Sequence, residues 1–418
     1  MQTRAIALLA PLALAACATA GPLTVQCDEI TSFLEEVDVS PLVMAAEPGA
    51  AANPFFAPLS LGAEAAMKSG AAAPPDFPVL LLSGGGQWGA FGAGFLNGLK
   101  EKGALPDFAY VTGVSTGAMQ TIFAATGEAR DYADMKALYL PPSESVYADN
   151  YGQIGLILKG AQASLAPLRD EIRKALCPDN TALADECRID RLATASTPAL
   201  VGLVEARSGA LKKADLNAIA RIKPRATARE CVTGALLASA AVPVEFQQFR
   251  MAGSAWYDGG VRRTVFETEI GAMMAAARED VVDAMACALR RDGKSGAACE
   301  GQKDAHWKAA NAMTPQPAFY VIRNGRSTVA PNADIDNQAG PLENAARGVS
   351  IILNQNELDS LAAIRLANRE VNIFYQTADK AACTPAKKLI FDPAFMACLA
   401  SFGDDLAKSA NPWLVFPK

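Results

Sequence analysis

The chain has 418 residues, of which 51% are hydrophobic and 20% are charged, and its formal net charge is −6. This length allows one large domain or two ordinary ones, with enough apolar surface for a buried core. The mild acidity and the lack of basic runs argue against nucleic-acid binding.

The first residues predict an export signal. Arg4 supplies the positive start, and the apolar core over 5–16 is too short to span a membrane. The run Leu-Ala-Ala-Cys that ends at Cys17 resembles a bacterial lipobox, in which the cysteine is lipidated and becomes the new N-terminus. We therefore expect 1–17 to be a lipoprotein signal peptide, the alternative being an ordinary secretory signal. Because Ala18 follows, the resemblance implies an outer-membrane anchor facing the periplasm.

Residues 18–76 are rich in alanine, proline and glycine, with one short helical patch over 30–37. This composition predicts a flexible tether between the lipid anchor and the folded body. A core over 77–270 and a helical and strand extension over 271–418, packed on that core, complete the expected domain organisation.

The folded body begins with a buried strand over 77–83, which runs directly into the sequence GGGQWG at 84–89. A helix of small residues follows over 89–102, and Gly103 is placed to end it. Several N–H groups of bare glycine backbone then lie at the positive end of a helix, which predicts an anion site. The anion is either a bound phosphate or an oxyanion that forms during a reaction.

A second strand over 108–112 ends in the sequence GVSTG at 113–117, and a helix continues over 118–126. This βαβα order is typical of a parallel sheet covered by helices, and hence of an α/β fold. Later predicted elements are a hairpin over 200–215, a helix over 227–240, a strand ending near 258, strands over 318–323 and 372–377, and a helix over 342–368.

The nine cysteines favour an oxidising compartment. Setting Cys17 aside leaves eight, and three pairs are close in sequence: Cys177 with Cys187, Cys287 with Cys299, and Cys383 with Cys398. Cys27 and Cys231 remain, and Cys231 is a candidate for a buried free thiol. No C-x-x-C spacing occurs, so metal ligation has no support.

The GVSTG sequence matches the nucleophile elbow G-x-S-x-G, with Ser115 at its centre. The turn between strand and helix is sharp, so the positions around the serine require small residues, and Gly113 and Gly117 occupy two of them. The serine hydroxyl then projects above the edge of the sheet. The motif alone is weak, and a plain strand–helix turn is the alternative, but a strand before it and a helix after it are the context that the motif requires.

A serine hydroxyl needs a base to act as a nucleophile at neutral pH. The chain has one histidine, His306. Its position after Ser115 and Asp258 fits a Ser-Asp-His order, but it precedes a strand, and its polar, helical surroundings favour a surface or helix-cap role. Asp258, in the run Tyr-Asp-Gly-Gly, is the other candidate, although an aspartate before two glycines is by itself typical of a turn.

The glycine loop, the serine elbow and the Asp-Gly-Gly run together resemble the patatin-like phospholipase family. That family has G-G-G-x-R/K-G, then G-x-S-x-G about thirty residues on, then a distant D-G-G/A. Here Ser115 lies 30 residues after Gly85, and Asp258 lies 143 residues after Ser115. The run Ala-Ser-Ala-Ala-Val-Pro over 238–243 is similar to a helix end in the same family. The resemblance covers roughly 77–266.

The resemblance implies a three-layer sandwich with a mostly parallel central sheet, and a serine lipid acyl hydrolase of the phospholipase A, lysophospholipase or esterase type. Ser115 would attack an ester carbonyl, and Asp258 would accept the proton as the second member of a dyad. The N–H groups of Gly84, Gly85 and Gly86 would form the oxyanion hole. Partial burial is expected to raise the pKa of Asp258. The chemistry requires no cofactor, and the expected partners are a lipid ester and the membrane.

Trp88 departs from the family pattern, which has arginine or lysine at this position. An indole is a single neutral donor and does not supply the charge. Trp88 is expected either to form part of an apolar acyl-chain wall or to pack at the base of the loop. Arg262 and Arg263, after the aspartate turn, are candidates to contact a phosphate head group, but most such pairs are solvated, and solvation is the expectation here.

Two other interpretations of the sequence remain. Gly84, Gly86 and Gly89 also satisfy the dinucleotide fingerprint G-x-G-x-x-G, but the acidic residue needed at the end of the second strand is missing, since Asp107 lies at its beginning. The alternative from another class is a non-catalytic lipid-binding envelope lipoprotein with a decayed hydrolase fold. Trp88 favours it, whereas the intact Ser115 and Asp258 count against it.

Overall fold

A computed structural model describes residues 21–37, 57–69, 77–152, 161–178, 187–265, 268–290, 299, 301–329, 340–368, 371–385 and 389–417. The expected signal peptide and Cys17 lie outside these ranges. Within them, every helix is too short or too polar to cross a bilayer.

The strands of the described residues are β1 (Leu23–Val25), β2 (Leu34–Glu36), β3 (Phe77–Leu82), β4 (Tyr110–Val114), β5 (Asp149–Asn150), β6 (Ala163–Ser164), β7 (Ala199–Glu205), β8 (Leu211–Asp215), β9 (Phe249–Met251), β10 (Ser254–Asp258), β11 (Pro317–Arg323), β12 (Asn372–Thr377) and β13 (Leu414–Val415). The helices are α1 (Ala57–Ser69), α2 (Gly89–Lys102), α3 (Thr116–Thr126), α4 (Ala129–Leu138), α5 (Ala166–Leu176), α6 (Arg188–Thr194), α7 (Leu216–Ala220), α8 (Arg225–Ser239), α9 (Thr268–Arg290), α10 (Ala305–Met313), α11 (Pro341–Ala367) and α12 (Pro393–Lys408).

One large sheet organises the molecule, in the order β1-β9-β10-β7-β4-β3-β11-β12-β13, with β8 also paired to β7 and β2 to β8. The five central strands, β7 to β12 in this order, are mutually parallel. Antiparallel pairs β10–β7, β10–β9, β7–β8 and β12–β13 extend the sheet on both sides. The predicted α/β fold with a mostly parallel central sheet is confirmed.

Strand β3 is buried on both faces, which explains its unbroken apolar sequence. Leu80 and Leu82 face one core cluster, which contains apolar side chains of α2, α3, α8 and α12. Val79 and Leu81 face a second cluster, with side chains of α1, α9 and α11. Helices therefore cover both faces of the sheet, which gives the three-layer sandwich.

Most of the predicted elements occur close to their expected bounds. Helix α2 spans the expected residues, and Gly103 ends it with φ 70°. The expected hairpin is the antiparallel pair β7–β8. The second strand is displaced by two residues and ends at Val114, immediately before the serine.

The flexible tether predicted over 18–76 is wrong for the described part of that range. Strand β1 pairs in parallel with β9, and β2 pairs with β8. The alternating residues Leu23, Val25 and Cys27 are buried, as are Leu59 and Ala63 of α1. The apolar spacing of these short segments is that of a strand and a helix, and it outweighs their alanine-rich composition.

The residues after 270 do more than pack on a completed core. Strand β11 lies between β3 and β12 in the middle of the sheet. Helix α12 packs on α2, where a Cβ on Gly94 would come 2.0 Å from the Ala400 carbonyl oxygen. The extension therefore supplies the central sheet with two of its parallel strands.

The three predicted local disulfides are present, namely Cys177–Cys187, Cys287–Cys299 and Cys383–Cys398. The free thiol considered at Cys231 is wrong, because Cys231 is joined to Cys27 across 204 residues of sequence. Glu29 is close to both sulfur atoms, but these are used in the disulfide, so the cluster is not a metal site.

Candidate active site

Ser115 stands alone between β4 and α3, with φ 55° and ψ −123°. A side chain in the left-handed region is strained, and such strain is retained at functional sites. A Cβ on Gly113 would lie 2.4 Å from the Gly117 carbonyl oxygen, and one on Gly117 would lie 2.4 Å from the Leu82 carbonyl oxygen. Both glycines are therefore sterically required in this turn between strand and helix.

Ser239, the last residue of α8, holds the elbow in place. Its hydroxyl accepts a hydrogen bond from the Ser115 N–H at 2.9 Å and donates one to the Gly202 carbonyl at 2.6 Å. This side chain is fully buried. The sequence singled out the surrounding run as a helix end, but gave no sign that its serine supports the backbone of the nucleophile.

The order of the strands places Asp258 beside the elbow. Residues Val114 and Gly202 are paired between β4 and β7, and Leu203 is paired with Asp258 between β7 and β10. The carboxyl end of β10, at the far side of β7, therefore lies beside the end of β4. This register brings together two residues that are 143 positions apart.

The carboxyl group of Asp258 is buried, with 3% of the residue exposed. Its Oδ1 accepts from the Gly260 N–H at 2.7 Å, and its Oδ2 has no hydrogen-bond partner among the described residues. Burial raises the pKa of Asp258 from 3.8 to about 7, while the nearby Ser115 hydroxyl and the Gly260 N–H act in the opposite direction. A carboxylate with such a pKa is a competent general base near neutral pH.

The glycine loop lies against the serine. A Cβ on Gly84 would come 3.3 Å from the Ser115 Cβ, and one on Gly85 would come 1.8 Å from the Asn324 carbonyl oxygen. The N–H of Gly84 already donates to the Thr264 carbonyl at 3.3 Å. Of the three predicted oxyanion donors, only the N–H groups of Gly85 and Gly86 have no partner among the described residues, and both glycines are exposed.

A buried polar network fixes the loop from below. Asn324, just after β11, donates from its backbone N–H to Ser83 Oγ at 2.9 Å and from Nδ2 to the Ser83 carbonyl at 2.9 Å. Gln120 of α3 accepts from the same Nδ2 at 3.2 Å and donates to the Gly89 carbonyl. The loop, the nucleophile helix and the C-terminal extension thus share one hydrogen-bonded support.

These groups meet in one pocket of about 520 Å³. Ser115, Asp258 and the three glycines lie in its wall, next to apolar side chains that include Met119, Leu165, Leu168, Phe246 and Phe391. The mixture of a reactive polar corner and an apolar wall suits a ligand with a hydrocarbon chain and one polar linkage.

Residues 80–269 match the family model of the patatin-like phospholipases. The matched range nearly coincides with the core expected over 77–270 and contains all three motifs. A solved structure, VipD from Legionella pneumophila, is 15% identical with a TM-score of 0.33, over 79% of this chain and 68% of that one. That likeness is too low to support an argument. The curated proteins contain no match.

Trp88 packs at the base of the loop and also lines the pocket. Its ring meets Phe395 of α12 edge to face, with 4.8 Å between centroids. The guanidinium of Arg326 lies 5.4 Å from the centre of the same ring. The indole therefore packs at the base of the loop and lines the pocket, and its ring contacts a cation that the sequence did not indicate.

Glu245 is a pocket residue that sequence reasoning missed. Burial, followed by the charge of Asp258, raises its pKa to about 7. The preceding Val244 has φ 73°, which is costly for a β-branched residue. The carbonyls of Val244 and Glu245 accept from Gln162 and Ala163, which holds this segment at the pocket wall.

His306 and the pair Arg262 and Arg263 lie outside the pocket. The side chain of His306 is half exposed, and its Nδ1 is 3.5 Å from Asp304 Oδ2 in the first turn of α10. Arg262 is exposed and donates to the Gly209 carbonyl. The structure therefore provides no Ser-His-Asp triad within its described residues.

Proposed function

We propose that this chain is a serine lipid acyl hydrolase that uses a Ser115–Asp258 dyad. The match to the patatin-like phospholipases supports a lipid-directed ester hydrolase. The observation that carries the dyad is the buried carboxyl group of Asp258, which interacts with the Ser115 side chain and whose pKa burial raises to about 7.

In the proposed reaction, Asp258 accepts the Ser115 proton as Oγ attacks the ester carbonyl carbon. The resulting tetrahedral oxyanion accepts hydrogen bonds from the N–H groups of Gly85 and Gly86, each worth roughly 2.7–4 kcal/mol in comparable sites. When the carbon–oxygen bond to the alcohol breaks, protonated Asp258 gives its proton to the leaving oxygen. Water then attacks the acyl-serine with Asp258 again as base, which releases the fatty acid and restores the hydroxyl.

The strained elbow and the raised pKa of Asp258 also argue against a decayed, non-catalytic fold. Strain at Ser115 and a buried carboxyl at Asp258 are both unfavourable for stability. A protein that had lost its activity would have no use for either. The non-catalytic alternative is therefore the weaker proposal.

Active-site labelling tests the proposal. A fluorophosphonate probe is expected to label the wild-type protein and to leave Ser115→Ala unlabelled, because the probe is attacked by an activated serine. Thermal melting of both proteins controls for folding. Equal labelling of the two, or none of the wild type, would refute the serine hydrolase.

We further propose that Cys17 carries a lipid anchor that places the enzyme at the bacterial envelope, with outer-membrane sorting. The lipobox resemblance and the oxidising environment implied by four disulfides support this assignment. Mass spectrometry of the mature N-terminus is expected to find a diacylated Cys17. An unmodified cysteine, or cleavage at another position, would rule out the anchor.

A further inference from the structure

The glycine loop lacks its motif cation, but another part of the chain supplies one. Arg326 follows β11, outside the residues that match the family model. Its guanidinium lies 5.4 Å from the ring centre of Trp88, the residue that occupies the cation position of the motif. Both side chains line the pocket that contains Ser115. A positive charge is therefore present beside the loop, although it does not come from the loop.

The guanidinium of Arg326 is held in a fixed orientation. Its Nη2 donates to the Ala381 carbonyl at 2.6 Å and to the Cys383 carbonyl at 3.3 Å. The disulfide Cys383–Cys398 ties this loop to α12. The Nε atom of Arg326 is buried and has no hydrogen-bond partner among the described residues. An arginine that is anchored on one side and unsatisfied on another is suited to bind an acceptor that arrives with a ligand.

The pocket wall contains three acids and two arginines whose charges a ligand would meet. Burial raises the pKa values of two of the acids, Asp258 and Glu245, to about 7, so that each is only partly ionised at neutral pH. The third acid, Glu357, is paired with the buried Arg323, with 3.0 Å between Nε and Oε2. Arg326 and Arg347 line the same pocket, and neither forms an ion pair with a described carboxylate.

We propose that Arg326, with Arg347 as the second cation, binds the phosphate of a phospholipid head group while the ester lies at Ser115. A guanidinium matches the geometry of phosphate oxygens and remains charged at all physiological pH values. The face of Trp88 stabilises this cation. The inference rests on the proposed hydrolase function and adds to it a preference for phosphate-bearing lipids over neutral ones.

The test compares two soluble substrates with the same short acyl chains, a phosphatidylcholine and a diacylglycerol, both below their critical micelle concentrations. Arg326→Gln and Arg347→Gln are each expected to lower kcat/KM for the phosphatidylcholine by about 10- to 100-fold, the range for a lost charged hydrogen bond. Turnover of the diacylglycerol is expected to change less than about threefold, because it lacks the phosphate.

Arg262→Gln is the matched control, because Arg262 is an exposed arginine outside the pocket. Its ratio of the two kcat/KM values should equal that of the wild type. If Arg326→Gln does not fold, Arg347→Gln carries the test, since the Arg347 side chain makes no hydrogen bond to a described residue. Equal losses on both substrates would assign the arginines a structural role and overturn the inference. Failure of the wild type on both substrates would instead refute the proposed hydrolase.

Discussion

Asp258→Asn is expected to lower kcat/KM for a lipid ester by about 10⁴-fold, the upper end of what a general acid–base residue contributes. The amide keeps the size of the carboxyl and can still accept from the Gly260 N–H, but it does not accept the Ser115 proton. Because the proposed dyad contains no second base, we expect little residual hydrolysis. Ester hydrolysis by the purified variant, compared with the wild type at pH 8, measures the loss.

The pH profile provides a second readout of the same residue. Because the pKa of Asp258 is raised to about 7, kcat/KM of the wild type should fall about tenfold for each pH unit below that value and level off above it. Glu245 titrates in the same range beside Asp258, so the profile reports the pair rather than one group. The residual activity of Asp258→Asn should lack the step that belongs to Asp258.

His306→Ala is the control that separates a dyad from a triad. This half-exposed histidine lies outside the pocket, so its loss should leave kcat/KM within about twofold of the wild type. A collapse of activity in His306→Ala, with the melting temperature unchanged, would contradict the assignment of Asp258 as the sole base.

Stability should change in the direction opposite to activity. The pKa of Asp258 is raised on folding, so its contribution to stability is present in full below 3.8 and is lost as the pH rises through about 7. Asp258→Asn removes the ionisable group, so the stability of the variant should not fall with rising pH for this reason. The variant is therefore expected to gain free energy of unfolding relative to the wild type between pH 4 and pH 8, which denaturant titrations at both values would measure.

The glycine loop and the serine turn could be located from short motifs because each motif carries its own steric reason. Gly113 and Gly117 are required by backbone approaches of 2.4 Å, and such requirements are local in sequence. The residues that support these motifs, in contrast, cannot be recognised from local sequence. Ser239 and Glu245 lie at and just after the end of α8, Arg326 follows β11, and the sheet order brings these two distant segments to the nucleophile. A lone serine, glutamate or arginine has no local pattern that reveals its role.

The elements of the fold also differ in whether a local sequence pattern reveals them. The long, fully apolar β3 and the small-residue helix α2 were located almost to the residue, because burial on both faces leaves a strong signal. The N-terminal strands have three residues each and lie within an alanine-rich region. Their structure depends on edges offered by β8 and β9 and on a covalent bond to α8, which are tertiary features.

Removal of the Cys27–Cys231 disulfide is expected to cost about 5 kcal/mol of unfolding free energy, because it closes a loop of 204 residues whose denatured state it restricts. The double variant Cys27→Ala/Cys231→Ala frees β1 to separate from β9 at the edge of the sheet. Guanidinium denaturation of the two proteins measures the difference. Ester hydrolysis in the absence of denaturant should be retained, since neither cysteine lines the pocket.

The matched control is Cys177→Ala/Cys187→Ala, which opens a disulfide with a sequence separation of only 10. All four sulfur atoms belong to buried residues, so the cavities left by alanine are comparable in the two variants. Chain entropy alone then predicts a loss of about 2.5 kcal/mol for the short loop, roughly half that of the long one. Equal losses in the two variants would mean that packing around the sulfur atoms dominates. The N-terminal segment would then be held by β1 and its neighbours rather than by the covalent link.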